Sequence, residues 1–124
     1  MNIVITGANR GIGLLFLRKG NWNGRQVVPR DWVSQSTATH STAGMATGYG
    51  YLWRTALKNI LFGSDLGQGS FSAWGVGGVY IVVSPVRDLV IVHVGDQDDN
   101  KSVSHDDFKL LLAKIVAAAP TPPK

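Results

Sequence analysis

Hydrophobic and polar positions are arranged most regularly in two β-branched runs near the middle of the chain. The runs at residues 79–84 and 89–94 are separated by four residues beginning with Pro85, which is the pattern of a β-hairpin. Apolar side chains occupy both faces of each run, as in strands that are covered on both sides. We therefore predict that this hairpin lies at the centre of a sheet.

The last part of the chain has the period of a helix instead. Between Phe108 and Ala119, apolar side chains recur at intervals of three and four positions, so they form one stripe along a helix. Ser104, followed three residues later by Asp107, has the spacing of a helix N-terminal cap. This segment is predicted to be a helix that packs on one face of the sheet.

The remaining elements have shorter signals. We predict a strand at residues 2–6, a helix at 8–19 with Ile12, Leu15 and Phe16 on one face, a short helix after Pro29, a loop at 34–48, and strand segments at 49–54 and 72–74. The uncovered edge of the hairpin has unpaired backbone groups. We therefore expect either that residues 2–6 pair with this edge as an added strand or that a second copy of the chain pairs there. The predicted fold class is α+β, with a short antiparallel sheet, a central hairpin and a C-terminal helix on one face, and self-association is expected.

Composition and charge exclude several classes of partner. Twelve Lys and Arg against eight Asp and Glu give a net charge of +4, but the basic residues are scattered. A nucleic-acid partner is therefore not expected. No apolar run is long enough to cross a membrane, so no membrane partner is expected. The absence of cysteine excludes disulfides and thiolate metal sites, and it is compatible with the cytoplasm, where we place the protein.

The first thirteen residues contain a glycine motif. The segment IVITGANRGIG resembles the opening of the short-chain dehydrogenases, which have a strand, Thr-Gly-x-x-x-Gly-x-Gly and a helix. That resemblance implies a nucleotide site at Thr6, Gly7, Arg10, Gly11 and Gly13, with Arg10 favouring NADP. No tyrosine is followed by the lysine that the family places four residues later. The alternative is a strand, turn and helix whose glycines serve only the tight turn.

From Gly13 onward the chain resembles a different family. Residues 13–33, 49–53 and 71–94 and the final helix follow, in order, the C-terminal part of the β-lactamase-like (penicillin-binding-protein-type) serine hydrolases. The resemblance implies an antiparallel sheet flanked by helices and attack on an ester, amide or β-lactam carbonyl. We therefore divide the chain into a dehydrogenase-like leader at 1–13, the C-terminal portion of a hydrolase domain at 14–119 and a tail at 120–124.

The catalytic motifs of that family are incomplete. None of the nine serines has Lys three residues later, so the Ser-x-x-Lys nucleophile is absent. Only a third motif has a counterpart, at residues 76–78, where Val76 replaces the family's usual Lys, His or Trp. The resemblance implies that Trp74, Gly77, Gly78 and Val79 form the oxyanion side of a site, with the Val79 N–H as donor. The alternative is that these glycines only allow close approach of strands.

Two further groups of residues carry candidate chemistry. We expect His40 to be solvated in a loop, His93 to be a satisfied sheet histidine and His105 to be exposed at a helix start. An acidic segment partly follows the spacing of a calcium loop, with the candidate ligands Asp96, Asp98, Asn100 and Asp107. Lys101 occupies the position where such a loop needs glycine, so a solvated acidic loop and a helix cap are the favoured interpretation.

Three functions remain open from the sequence. The first is a small hydrolase that acts on an ester or lactone and needs no cofactor. The second is a non-catalytic fragment or interaction module. The third is an NADP-dependent oxidoreductase based on the N-terminal glycine motif.

Overall fold

The computed structural model describes residues 2–6, 10–42, 46–95 and 103–119, and it describes side chains from residue 11 onward. In these ranges the helices are α1 (Arg10–Leu17), α2 (Arg30–Ser36) and α3 (His105–Ala118). The strands are β1 (Asn2–Thr6), β2 (Asn21–Trp22), β3 (Arg25–Gln26), β4 (Gly48–Tyr49), β5 (Arg54–Thr55), β6 (Ile60–Leu61), β7 (Ser64–Asp65), β8 (Phe71–Gly75), β9 (Val79–Ser84) and β10 (Leu89–His93). No helix in the described ranges has the length and apolar character needed to cross a bilayer.

Six strands form the main sheet, in the order β1-β10-β9-β8-β5-β4. The β9–β10 hairpin occupies inner positions, as its pattern predicts, and four neighbouring pairs are antiparallel. The predicted α+β class, with an antiparallel sheet and a C-terminal helix, is confirmed. Two small hairpins, β2–β3 and β6–β7, stand outside this sheet.

The first strand adds to the edge of the sheet, as expected from the exposed edge of the hairpin. β1 pairs with β10 along its whole length, with Val4 opposite Ile91. This pair is parallel, whereas the other pairs of the sheet are antiparallel. A parallel pair needs a long connection, and here most of the chain lies between the two strands.

Apolar side chains cover both faces of the central strands. On one face, buried residues of β9, β10, α3 and the β6–β7 hairpin form a single cluster, whose members are Leu61, Phe62, Leu66, Tyr80, Val82, Leu89, Ile91, Phe108 and Leu112. On the other face Phe16 and Leu17 of α1 pack against a second cluster, formed by Trp53, Phe71, Ile81, Val83, Val90 and Val92. The alternation within β9, with Tyr80 on one side and Ile81 on the other, therefore builds both cores.

The first helix is shorter than predicted. It covers Arg10–Leu17 rather than residues 8–19, and Ile12 is 50% exposed, so its predicted place on the apolar face is wrong. Phe16 does pack on the sheet. The helix ends where Lys19 and Gly20 both adopt positive φ, and Gly20 donates its N–H to the carbonyl of Leu15. This is the left-handed ending for which glycine is suited.

Gly13 allows α1 to approach the sheet closely. A Cβ atom at this position would lie 2.6 Å from Val90 Cγ1 and 3.2 Å from Ile81 Cγ2, and Val90 is fully buried. A Cβ at Gly11 would meet nothing closer than 4.0 Å. There is therefore space for a side chain at Gly11 but not at Gly13.

We predict opposite effects for alanine at these two glycines. Both substitutions gain the same helix propensity, so the difference between their free energies of unfolding isolates the clash, which should cost about 1–3 kcal/mol in Gly13→Ala. Gly11→Ala should be as stable as the wild type or more stable. Urea denaturation of both variants measures this difference. Equal stabilities would contradict the close contact between α1 and the sheet.

Two other segments differ in detail from their predictions. The pattern at residues 49–54 predicts one strand, but the chain turns at Leu52, whose φ is +68°, so the segment is divided between β4 and β5. The predicted loop at 34–48 begins later, because α2 continues to Ser36. The short helix after Pro29 is confirmed.

Candidate active site

The turn between β8 and β9 forms one wall of the candidate site. Residues 76–78 connect the strands, and Gly77 and Gly78 have φ of +88° and +82°. A Cβ at Gly78 would lie 2.8 Å from the carbonyl oxygen of Val103. Both conformation and space therefore require glycine at position 78.

His93 supports this turn from the neighbouring strand. Its Nδ1 atom lies 2.6 Å from the carbonyl oxygen of Gly78, and a carbonyl oxygen only accepts, so Nδ1 carries the donated proton. A Cβ at Gly95 would overlap the carbonyl oxygen of Gly77, which shows how closely the end of β10 approaches the turn. The prediction of a satisfied sheet histidine is confirmed for His93.

A cleft of about 420 Å³ opens beside the turn. Its lining residues are Arg54, Trp74, Gly75, Val76, Gly77, Gly78, Tyr80, Val103 and His105. The predicted site residues Trp74, Gly77 and Gly78 thus lie together on one cleft. Val79 is not among the lining residues and stands opposite Gly75 in the β8–β9 ladder. Its role as an oxyanion donor stays a prediction.

His105 lies in this cleft and not in open solvent, so the expectation that it is exposed is wrong. It is the first residue of α3, directly after the capping Ser104, and it is half-buried. Its Nδ1 atom lies 2.8 Å from the hydroxyl oxygen of Tyr80. Its ring stacks on Trp74 with centroids 4.2 Å apart. A hydroxyl group and an imidazole therefore meet in the cleft.

Aromatic packing fixes the position of Tyr80. Its ring stacks on Phe108 of α3 with centroids 3.6 Å apart and an interplanar angle of 7°. Phe62, in the β6–β7 turn, meets the edges of both Tyr80 and His105. Only 1% of Tyr80 is exposed. The helix, the sheet and the small hairpin therefore jointly hold the Tyr80–His105 pair.

Burial and charge keep both members of this pair neutral near neutral pH. Burial lowers the pKa of His105 from its ordinary 6.5, the positive charges of Lys109 and Arg54 lower it further, and Asp106 opposes them. Burial raises the pKa of the Tyr80 hydroxyl. Tyr80 is therefore a hydrogen-bonding group at neutral pH, while His105 is a free base.

A second cleft of about 430 Å³ adjoins the first. Its lining residues are Ala46, Thr47, Arg54, Ile60, Phe62, Gly63, Trp74, His105 and Lys109. Arg54, Trp74 and His105 line both clefts, and the Arg54 guanidinium lies 4.7 Å from the centre of the Trp74 ring. The first cleft, at the glycine turn, and the second cleft, beside Lys109, thus share one wall.

The predicted nucleotide-binding residues are placed around β1 and α1. Thr6 ends β1, Arg10 and Gly11 begin α1, and Gly7 lies outside the described residues. Gly13 packs against the sheet. The sheet that β1 joins has one parallel pair and is not doubly wound, unlike a dinucleotide-binding sheet. NADP binding stays a prediction.

The predicted calcium ligands fall mostly outside the described residues, which include neither Asp96, Asp98 nor Asn100. Asp107 is exposed, and its backbone N–H donates to the Ser104 hydroxyl at 3.1 Å, as a helix cap requires. Within the described ranges, no group of three or more His, Asp or Glu side chains is close enough to hold a metal ion.

The third histidine, His40, lies on the surface near the β4 edge. It is exposed as expected, but its Nε2 contacts the carbonyl oxygen of Gln35 at 2.7 Å and its ring stacks on Tyr51. It lines neither cleft. The three histidines therefore have three different structural roles, and of the three only His105 lines the two clefts.

Comparison with solved structures defines the class of fold. The described sheet and helices form part of the fold of the β-lactamase-type serine hydrolases. The structure that carries this comparison is a Bacillus anthracis protein assigned as a 6-aminohexanoate-dimer hydrolase, at 20% identity and a TM-score of 0.60. The match covers 86% of this chain and 26% of that protein, so the chain spans about a quarter of its length. No protein-family model matches the chain, and no curated protein is significantly similar to it.

Proposed function

We propose that the chain is a small carbonyl hydrolase that cleaves esters or lactones without the Ser-x-x-Lys nucleophile of the fold. One observation carries the proposal: the 2.8 Å contact between Tyr80 and His105 in the cleft beside the glycine turn. A base within hydrogen-bond distance of an orienting group is the arrangement that general-base catalysis needs. The partial hydrolase fold supports the same reaction class.

In the proposed reaction, water is the nucleophile and His105 is the base. The proposal assigns the ring proton to Nδ1 of His105, which lies 2.8 Å from the Tyr80 hydroxyl oxygen, so that the second ring nitrogen is the proton acceptor. As the water oxygen attacks the carbonyl carbon, that nitrogen takes a proton. The resulting imidazolium then gives the proton to the leaving alcohol oxygen as the ester C–O bond breaks. The products are a carboxylic acid and an alcohol.

The other lining residues stabilise and confine the reacting group in this proposal. Backbone N–H groups of the glycine turn are the donors proposed for the oxyanion, as the position of Gly78 beside the cleft favours. Tyr80 positions the base and does not attack, because its raised pKa keeps the phenol protonated. Trp74, stacked on His105, forms an apolar wall that limits access of bulk water.

Esters and lactones suit this arrangement better than amides. A single general base contributes about 10²–10⁴-fold, which is enough for a carbonyl with a good leaving group. Amide cleavage also needs a covalent step or stronger protonation of the leaving amine, and in the fold that work belongs to the missing nucleophile. An activated ester is therefore the substrate with which to begin.

Hydrolysis of 4-nitrophenyl acetate tests the proposal. We expect turnover above that of the heat-killed protein, and a loss of at least about tenfold in Trp74→Ala and Gly78→Ala, because both residues line the cleft. Gly24→Ala is the matched control, since Gly24 also has positive φ but nothing within 4 Å of its Cβ position. It should retain the wild-type rate. Absence of turnover would instead support a non-catalytic fragment or interaction module.

The pH profile supplies an independent test. Because the pKa of His105 is lowered, the base remains deprotonated below the ordinary histidine value of 6.5, and kcat/KM should stay on its plateau there. Activity should fall only as the pH drops through the lowered pKa of His105. Lys109→Met removes one charge that lowers this pKa, so the acidic limb should move to higher pH. An acidic limb above 6.5 in the wild type would contradict His105 as the base.

A further inference from the structure

The C-terminal helix exposes a line of side chains that has the spacing of a helix–helix contact. Leu111 of α3 is 38% exposed and lies outside the core cluster to which Phe108 and Leu112 belong. Asp107, Lys114 and Ala118 are also exposed. Positions 107, 111, 114 and 118 follow one another at intervals of four, three and four residues, as in the seam between two packed helices. We call these four residues the α3 seam.

The α3 seam lies on the flank of the helix that faces away from the two clefts. At about 100° per residue, Lys109 and Leu111 lie about 80° to either side of the line through the core residues Phe108 and Leu112. Lys109 reaches the β6–β7 turn, because a Cβ at Gly63 would lie 3.3 Å from its Cε. Leu111 therefore lies on the opposite flank from that hairpin. A partner bound at the seam would leave the clefts open.

The charges around Leu111 are arranged so that the seam is complementary to itself. Asp107 precedes Leu111 by four residues, about 6 Å along the helix axis, and Lys114 follows by three residues, about 4.5 Å. In an antiparallel pair with Leu111 at the two-fold axis, each Asp107 would face the Lys114 of the other copy, offset by only about 1.5 Å. A parallel pair in the same register would instead oppose like charges. The charge pattern therefore favours a second, antiparallel copy as the partner.

Neither of these charges has a partner at helical spacing. Ion pairs along a helix form between residues three or four positions apart. Every position three or four residues before or after Asp107 and Lys114 is uncharged. A single exposed leucine is ordinary on a protein surface. A leucine between two opposite charges that lack such neighbours is a specific pattern, because it determines the orientation of a second helix.

We propose that two copies of the chain associate through antiparallel α3 seams, with Leu111 at the two-fold axis. Such an interface uses the same patch on both copies. The edge of the β9–β10 hairpin is not available for this association, because β1 pairs with β10 along its length. The contact involves one helix of 14 residues, about 21 Å long, so the dimer is weak, with a Kd of about 10–100 µM. The proposal does not depend on the hydrolase function.

Sedimentation equilibrium of the full chain tests the apolar centre of the seam. The average mass should rise from 13.3 kDa toward twice that value as the concentration passes through the Kd. Leu111→Asp places two carboxylates at the two-fold axis, so its Kd should be at least about 100-fold higher. Leu110→Asp is the matched control, because Leu110 is 65% exposed but points about 100° away from Leu111. This variant should dimerise like the wild type.

Two outcomes of this experiment would overturn the proposal. One is a wild-type chain that stays monomeric up to about 1 mM, well above the expected Kd. The other is an equal loss of dimer in Leu110→Asp and Leu111→Asp, which would show that exposed apolar area and not the seam drives association. Circular dichroism of both variants should show the helix content of the wild type, since both residues are exposed.

Charge reversal tests the antiparallel orientation. Asp107→Lys and Lys114→Glu each oppose like charges in the homodimer, so each variant alone should have a Kd at least about tenfold higher than the wild type. In an equimolar mixture the reversed charges are complementary across the seam, and a heterodimer should form. Native mass spectrometry identifies this species by a mass between those of the two homodimers. Wild-type-like homodimers of both variants, or a mixture without heterodimer, would contradict the antiparallel seam.

Discussion

Substitution of His105 by Gln should lower kcat/KM for an activated ester by about 100-fold or more, because it removes the proposed base. The side chain of Gln can still form a hydrogen bond with Tyr80, so the fold and the cleft should be retained. Tyr80→Phe, which removes the group that positions His105, should cost only about tenfold. Steady-state kinetics on the three proteins measures this order of effects.

His40→Gln is the matched control for the loss of a histidine. His40 is exposed and lines neither cleft, so this variant should keep the wild-type rate. A His105→Gln protein with more than half of the wild-type kcat/KM would show that His105 is not the base. An equal loss in His40→Gln would indicate that the rate depends on histidine content and not on the cleft.

Phe108→Ala should produce the largest loss of stability. Phe108 is fully buried, stacks on Tyr80 and meets the edge of Phe62, so its removal leaves a cavity between α3 and the sheet. The expected loss in the free energy of unfolding is about 3–5 kcal/mol. Urea denaturation followed by circular dichroism measures it.

Leu110→Ala provides the comparison on the same helix. Leu110 is 65% exposed, so this variant should unfold within about 0.5 kcal/mol of the wild type. If Phe108→Ala and Leu110→Ala had similar stabilities, α3 would not be docked on the sheet as described. The Tyr80–His105 pair would then lose its structural support, because α3 carries both Phe108 and His105.

The sequence predicts those parts of the fold in which local pattern and tertiary environment agree. The β9–β10 hairpin has apolar side chains on both faces, and helices do lie on both sides of it. The capping pair Ser104 and Asp107 marks the start of α3 within one residue. The aromatic and aliphatic residues from Tyr49 to Arg54 favour one strand, but Leu52 adopts a left-handed conformation in a turn that the local pattern does not show.

The candidate site was only partly predictable, because its partners come from distant parts of the chain. The glycine turn identifies one wall, and Trp74, Gly77 and Gly78 line the cleft. His105 follows a capping serine, a position that is usually solvent-exposed, and no local signal pairs it with Tyr80, which lies 25 residues earlier. The local pattern predicts Tyr80 only as a core residue of a strand.

The two segments that resemble different families contribute strands to the same sheet. The strand of the N-terminal glycine motif pairs with β10, and Gly13 packs α1 against β9 and β10. The glycines at 11 and 13 could not be ranked from the sequence, since a motif does not show which glycine approaches another element. The division into a leader at 1–13, a hydrolase portion at 14–119 and a tail stays a prediction, as does self-association.

The most direct test of the central claim is intact-mass spectrometry of the wild-type protein, acid-quenched during steady turnover of 4-nitrophenyl acetate. Water attack assisted by His105 predicts that nitrophenol accumulates while the mass of the chain, 13.3 kDa, remains unmodified. An acetyl adduct that forms and decays at the turnover rate on any of the nine serines would contradict this prediction. Absence of nitrophenol above the heat-killed control would contradict it equally.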